Sequence, residues 1–219
     1  MTFPIRTARR DAAVPPGRIG YNITTPTMLL HTVQTADALD ELLETGRLVP
    51  NPARAMEGYD DAYAWLTGHM GRRLPTSGKG MVWLWAKIRR EDLIHNIRYA
   101  SRGDVLLTCR IPRERLMLSQ YDDWHNVLNG FPIVRPLPGE DDDAYSARYD
   151  ARTDDLINRV HAAGARLQDP EGWPAALRDE LESSWEAIFD TGAYPRTSYW
   201  QATVHELRAE DVVEAVRLT

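Results

Sequence analysis

The chain has 219 residues, 43% hydrophobic and 26% charged, enough to bury a sizeable core as one good domain or two small ones. A net charge of -6 argues against a broad nucleic-acid or anionic-membrane surface, and a single cysteine, Cys109, excludes an intrachain disulfide and a multi-cysteine zinc site. There is no apolar run of membrane-spanning length and no signal-peptide core, so the sequence predicts a soluble cytoplasmic protein without a membrane partner.

Residues 1–20 carry Arg6, Arg9, Arg10 and Arg18 with Pro15-Pro16 and show no apolar periodicity. They are expected to form a flexible arm, the one part suited to nucleic acid. Residues 21–219 are expected to form a single domain. Met28 to Gln34 reads as a strand. Thr35 then caps a helix, Ala36 to Glu44, with Leu39, Leu42 and Leu43 on one face and Gly46 as its stop. A second helix is predicted from about Met56 to Leu74, with Tyr59, Tyr63, Leu66 and Met70 at helical spacing. The loop Pro75-Thr76-Ser77-Gly78-Lys79-Gly80 has the wrong spacing for a phosphate loop, and Gly80 stands where a magnesium-binding hydroxyl is needed.

Met81 to Ala86 predicts a strand with Trp83 and Trp85 on one face and Val82 and Leu84 on the other. A short helix over Arg90 to Tyr99 and a third strand over Asp104 to Ile111 follow. Cys109 inside that strand reads as a small buried hydrophobe rather than a nucleophile. The segment Met117 to Gly130 packs carboxylates, an imidazole, amides, a phenol and an indole into one short stretch. Asp122 or Asp123 is expected to cap a helix there. Asp122, Trp124, His125 and Asn126 form either the wall of a site or a polar buckle that holds the fold. Pro132, Pro136 and Pro138 make a stiff connector, and Glu140 to Asp143 an acidic helix start that suits the positive end of the helix dipole. Leu177, Leu181, Trp185, Ile188 and Phe189 stripe a further helix. The last strand is predicted over Tyr199 to Leu207, and a tail helix over Ala209 to Val216.

The six histidines make no HExxH pattern, and Asp122-Asp123-Trp124-His125 points its ligand atoms in different directions, so no metal is expected. There is no nucleophile elbow and no GxGxxG motif. What remains is a set of polar groups on strands whose other faces are apolar: His31, Thr32, Gln34, Arg110, Gln201, His205 and Glu206. If the strands share one sheet, these groups can line a cleft; the alternative is that they are satisfied sheet-surface residues.

Trp83-Leu84-Trp85, the run Met117 to Asn129, Ser184 to Phe189 and Trp200-Gln201-Ala202 resemble the signature of an uncharacterised bacterial family, domain of unknown function 3841. That resemblance covers most of the chain from Leu29 onward and implies no activity. Leu30-His31-Thr32, the helix after it and Gly46-Arg47-Leu48 are similar to the opening of ADP-ribosyltransferases. This second resemblance implies an α+β fold, a small, strongly bent sheet flanked by helices, and NAD as substrate. It implies that His31, with Thr32, meets the ribose, that Arg110 meets phosphate, and that Tyr63 or Tyr59 stacks on nicotinamide. It places a glutamate on a late strand. Here that strand offers Gln201 and Glu206, and an amide where a carboxylate is expected weakens stabilisation of a developing cation. The expected function is a nucleotide-binding, ADP-ribosyltransferase-like protein acting on a target the sequence does not name. The alternative is a non-enzymatic module that recognises a partner protein or an apolar ligand through a tryptophan-rich surface.

Overall fold

A computed structural model describes residues 3–15, 24–52, 57–167 and 169–219. In chain order the elements are β1 (Ile5–Ala8), α1 (Arg10–Ala13), β2 (Thr27–Gln34), α2 (Ala36–Thr45), β3 (Arg47–Leu48), α3 (Asp60–Arg73), β4 (Val82–Lys87), α4 (Arg90–Ile97), β5 (Val105–Pro112), β6 (Met117–Gln120), α5 (Tyr121–Leu128), α6 (Asp142–Ala162), α7 (Ala175–Trp185), β7 (Trp200–Val204), β8 (Leu207–Arg208) and β9 (Val212–Leu218). Seven strands form one mixed sheet in the order β1-β9-β5-β2-β4-β7-β6, and β3 pairs with β8 in a small ribbon. The fold is α+β. The chain forms two compact units, the first of Met1–Ala55, Thr67–Leu118 and Ser198–Thr219, the second of Met56–Leu66 and Ser119–Thr197.

In the first unit, local chemistry sets the ends of α2. The Thr35 side chain accepts the Ala38 N–H, and Gly46, at φ 76° in the left-handed region, donates its N–H to the Leu42 carbonyl. Between those caps Leu39 and Leu42 are fully buried. The β5 strand sits between β9 and β2, and Val105 to Cys109 are buried on both faces, as a near-continuous apolar run requires of a central strand.

Two expectations fail here. The N-terminal residues 3–15 do not form a free arm. β1 pairs in parallel with β9, and Ala13 and Val14 are 0% and 2% exposed. They pack with Ile88, Leu93, Ile97, Leu106, Val216 and Leu218. An edge strand with exposed side chains is held by backbone pairing, and that leaves no apolar period to read. Residues 16–20, including Arg18, lie outside the described residues, as does Met56 at the start expected for the second helix. The tail is not a helix. After one 3-10 turn, Ala209–Asp211, it forms β9 between β1 and β5. Valines 212, 213 and 216 favour a pleated strand, and a slot in the sheet outweighs their helix-compatible spacing. The turn is anchored by Arg115, which donates 2.7 and 2.9 Å hydrogen bonds to the two Asp211 carboxylate oxygens in a buried bidentate pair.

In the second unit, Asp141 caps α6 by accepting the Ala144 N–H at 2.8 Å, so the acidic run does start a helix. Trp185 on α7 is buried and donates from Nε1 to the Phe131 carbonyl. Trp65 lies edge-on to Trp185 and stacks on Phe189, each at 5.4 Å between ring centres. The proline connector is tied to this core through the Ile133 N–H, which donates to Ser184 Oγ.

Candidate functional site

Strand register in the first unit brings four uncharged polar or amphipathic side chains to one level. His31 on β2 lies opposite Thr108 on β5 and opposite Trp85 on β4, and Trp85 lies opposite Gln201 on β7. Directly opposed residues point to the same face, so Thr108, His31, Trp85 and Gln201 form a row across four strands. His31 and Gln201 are two strand spacings apart, roughly 10 Å between Cα atoms. One step along the same face, Trp83 lies opposite Thr203. One step the other way, Leu29 lies opposite Arg110, and both are exposed. The row borders an apolar patch of this face, where Val33 and Trp85 pack against the Leu93, Ile97 and Leu106 cluster.

His31 is 1% exposed, and its Nδ1 is 3.1 Å from Thr108 Oγ1. Burial lowers its pKa from 6.5 to about 4, so the ring is neutral at physiological pH. Gln201 is 7% exposed, and its Nε2 is buried with no hydrogen-bond partner among the described residues. An orphaned buried donor of this kind costs free energy unless something else supplies the acceptor. His205, in phase with Gln201 beyond the end of β7, shares a 3.0 Å hydrogen bond between its Nδ1 and Thr76 Oγ1, and its buried Nε2 also has no partner. The loop that carries Thr76 comes so close that a Cβ on Gly78 would meet the His205 Cβ at 3.1 Å.

Other expected site residues fall outside this row. Thr32 is buried on the opposite face of β2, where its Oγ1 accepts from Gln34 Nε2. Glu206 follows β7 without belonging to it and is held by Arg208 at 2.7 Å and Arg47 at 3.3 Å. Partial burial pushes its carboxyl up, but Arg208 and Arg47, with Arg115 beyond them, outweigh this and hold it below the usual range. Arg110 is exposed on the face of His31. Tyr63 belongs to the second unit, edge-on to Trp124 at 6.0 Å. Among the described residues no group of three or more His, Cys, Asp or Glu is placed to hold a metal. Cys109 is a buried free thiol, its pKa pushed up by burial and by Asp211. Sequence reading left Thr108 and Trp85 out of the row. Their alternation within strands was visible, but which residues stand opposite is a property of register.

In the second unit the polar segment forms α5. Its cap is neither Asp122 nor Asp123. The Gln120 side chain accepts the Asp123 N–H at 2.6 Å and donates to Asp122 at 2.8 Å, because a strand not expected from the sequence, β6, runs up to Gln120 and leaves it at the N-cap. Trp124 is 4% exposed, whereas Asp122 and His125 face solvent. His125 Nδ1 is 3.0 Å from the Tyr121 carbonyl. Asp123 accepts from Asn126 Nδ2 and from the Tyr194 hydroxyl, and the Tyr149 hydroxyl donates to Asn126 Oδ1. Burial raises the Asp123 pKa, while Tyr194 and Asn126 pull it down. This closed network ties α5, α6 and the loop after α7 together.

Comparison with known proteins finds the family described as a domain of unknown function (DUF3841), whose model matches residues 29–213, most of the chain. No curated protein and no solved structure matches. No helix among the described residues is long and apolar enough to cross a membrane.

Proposed function

This chain belongs to the domain of unknown function 3841 family, and from that premise we propose that it is an ADP-ribosyltransferase-like protein that binds NAD on the sheet face of its first unit. The observation that carries the reading is the row Thr108–His31–Trp85–Gln201, with the Gln201 amide buried and without an acceptor. In this reading His31 meets ribose hydroxyls, Gln201 Nε2 donates to an oxygen of the ligand, and Trp85 offers an aromatic surface between them. Arg110, exposed on the same face and in no recorded ion pair among the described residues, meets phosphate at the rim. Along the row the site so described is neutral and hydrogen-bonding, with exposed Arg110 at its rim and Glu214, opposite Thr108, paired with Arg6, which suits a nucleoside joined to phosphate. Glu206, locked between two arginines, takes no part. A cytoplasmic setting is proposed with this ligand, in keeping with one buried unpaired thiol.

A second reading rests on Trp83 and Trp85, both only half-buried on one strand face: a binding module for an apolar ligand or protein partner. Calorimetric titration separates the two. NAD is expected to bind the wild-type protein, and saturation at a hundredfold the dissociation constant is expected to stabilise it by about 2.7 kcal/mol. Arg110→Ala is expected to weaken binding, and Glu206→Gln to leave it unchanged. No heat at millimolar NAD would discard the nucleotide reading in favour of the module.

A further inference from the structure

Building on the NAD-binding reading, we infer that this face holds the dinucleotide without breaking its N-glycosidic bond, which makes the protein a nucleotide reader rather than a transferase. Breaking that bond leaves the electron pair on the nicotinamide nitrogen and a positive charge spread over the ribose C1′ and ring oxygen. Water or a target nucleophile then bonds to C1′ and gives up its proton. Sites that perform such chemistry place negative charge against the forming cation.

This face does the opposite. Strands β2, β4, β5 and β7 contain no aspartate or glutamate. The carboxylates that flank them are engaged: Asp104, one residue before β5, accepts the Ser101 N–H, Asp92 on α4 is held by Arg89 and by the Tyr199 hydroxyl, and two glutamates are held by arginine. Glu206, past the end of β7, is held by Arg208 and Arg47. Glu214 stands opposite Thr108 on β9, and Arg6 donates to it at 2.7 Å. Within the row the orphaned group of Gln201 is an N–H donor, whose positive end opposes a cation. His31 is uncharged, so it supplies no negative field and no net charge of its own. The same groups are well suited to binding, since neutral donors and acceptors satisfy hydroxyl and amide oxygens in the ground state.

The test titrates the full-length protein with NAD in the calorimeter. It then follows free nicotinamide by chromatography for a day at saturating protein, and transfer of labelled ADP-ribose onto the macromolecules of a cell lysate. The expected result is a binding isotherm weakened at least tenfold by Gln201→Ala, with nicotinamide appearing no faster than in buffer and no label transferred. Because Gln201 is buried, the exposed Arg110→Ala variant serves as a second probe and is expected to weaken binding severalfold with an unchanged melting temperature. Nicotinamide release above the buffer rate, or label transfer that depends on the protein, overturns the reader while leaving NAD binding intact. Failure of the wild-type protein to bind NAD overturns both.

Discussion

His31 shows how far a single buried residue couples the fold to pH. Its folded pKa of about 4 lies below the unfolded value of 6.5, so the unfolded chain takes up the proton first on acidification. The stability this contributes is present in full above pH 6.5 and is lost as the pH falls towards 4. Between pH 7 and pH 5 the loss amounts to about 2 kcal/mol. Urea denaturation at the two pH values is expected to show this drop in the wild-type protein and a clearly smaller one in His31→Asn. An equal drop in both would assign the pH dependence to other groups. Gly78 is the other position where a few atoms decide the outcome. A methyl group there would meet His205 at 3.1 Å, so the loop or the imidazole must shift. Gly78→Ala is expected to cost about 1–3 kcal/mol, read from the denaturation midpoint, although the residue itself is exposed.

At the scale of the element, α5 separates packing from decoration. Trp124 is 4% exposed and fills space beside Val127, which is also buried. Trp124→Ala is expected to destabilise by about 3–5 kcal/mol. His125, exposed and bonded to a carbonyl of its own helix, is expected to change stability by no more than about 0.5 kcal/mol when replaced by alanine. Gln120→Ala removes the acceptor that caps the helix and is expected to cost about 1 kcal/mol. Thermal denaturation of the three variants checks the ranking. A His125→Ala loss as large as that of Trp124→Ala would contradict it.

Across the whole molecule, the two ends of the chain are adjacent. β1 adds to β9, the last strand, and the residues that follow it bury Ala13 and Val14 in the same cluster as Val216 and Leu218. Deleting residues 1–14 therefore removes an edge strand and opens a cavity beside Leu93 and Ile97, and is expected to lower the melting temperature by several degrees. A truncated protein that melts with the full-length chain would restore the flexible arm. The Arg115–Asp211 pair works at the same scale, since it joins the turn before β9 to the segment after β5. Asp211→Ala leaves a guanidinium that is 12% exposed without its carboxylate, and is expected to cost about 3–5 kcal/mol in chemical denaturation.

Much of the architecture was legible where a local rule acts on a short stretch. Thr35 and Gly46 mark the ends of α2, Asp141 starts α6, and the alternation of Val82 and Leu84 with Trp83 and Trp85 places β4 and its faces. The α+β class follows from these elements, and the signature segments identify the family. Pairing could not be read in this way. The ladder that turns Ile5–Ala8 into β1 uses backbone groups common to every residue, so the side chains carry no sign of it. The valines of β9 suit a strand or a helix by spacing alone, and the open slot between β1 and β5 decided between them. The candidate site divides along the same line. His31 and Gln201 stand out in the sequence as polar residues on apolar strands. That they share one level and one face with Trp85 and Thr108, while Glu206 is drawn away by Arg47 and Arg208, was settled by register and by charges distant in sequence. Composition and periodicity are properties of neighbours along the chain. A row across four strands is a property of pairing between residues up to 116 positions apart, and only the folded sheet creates it.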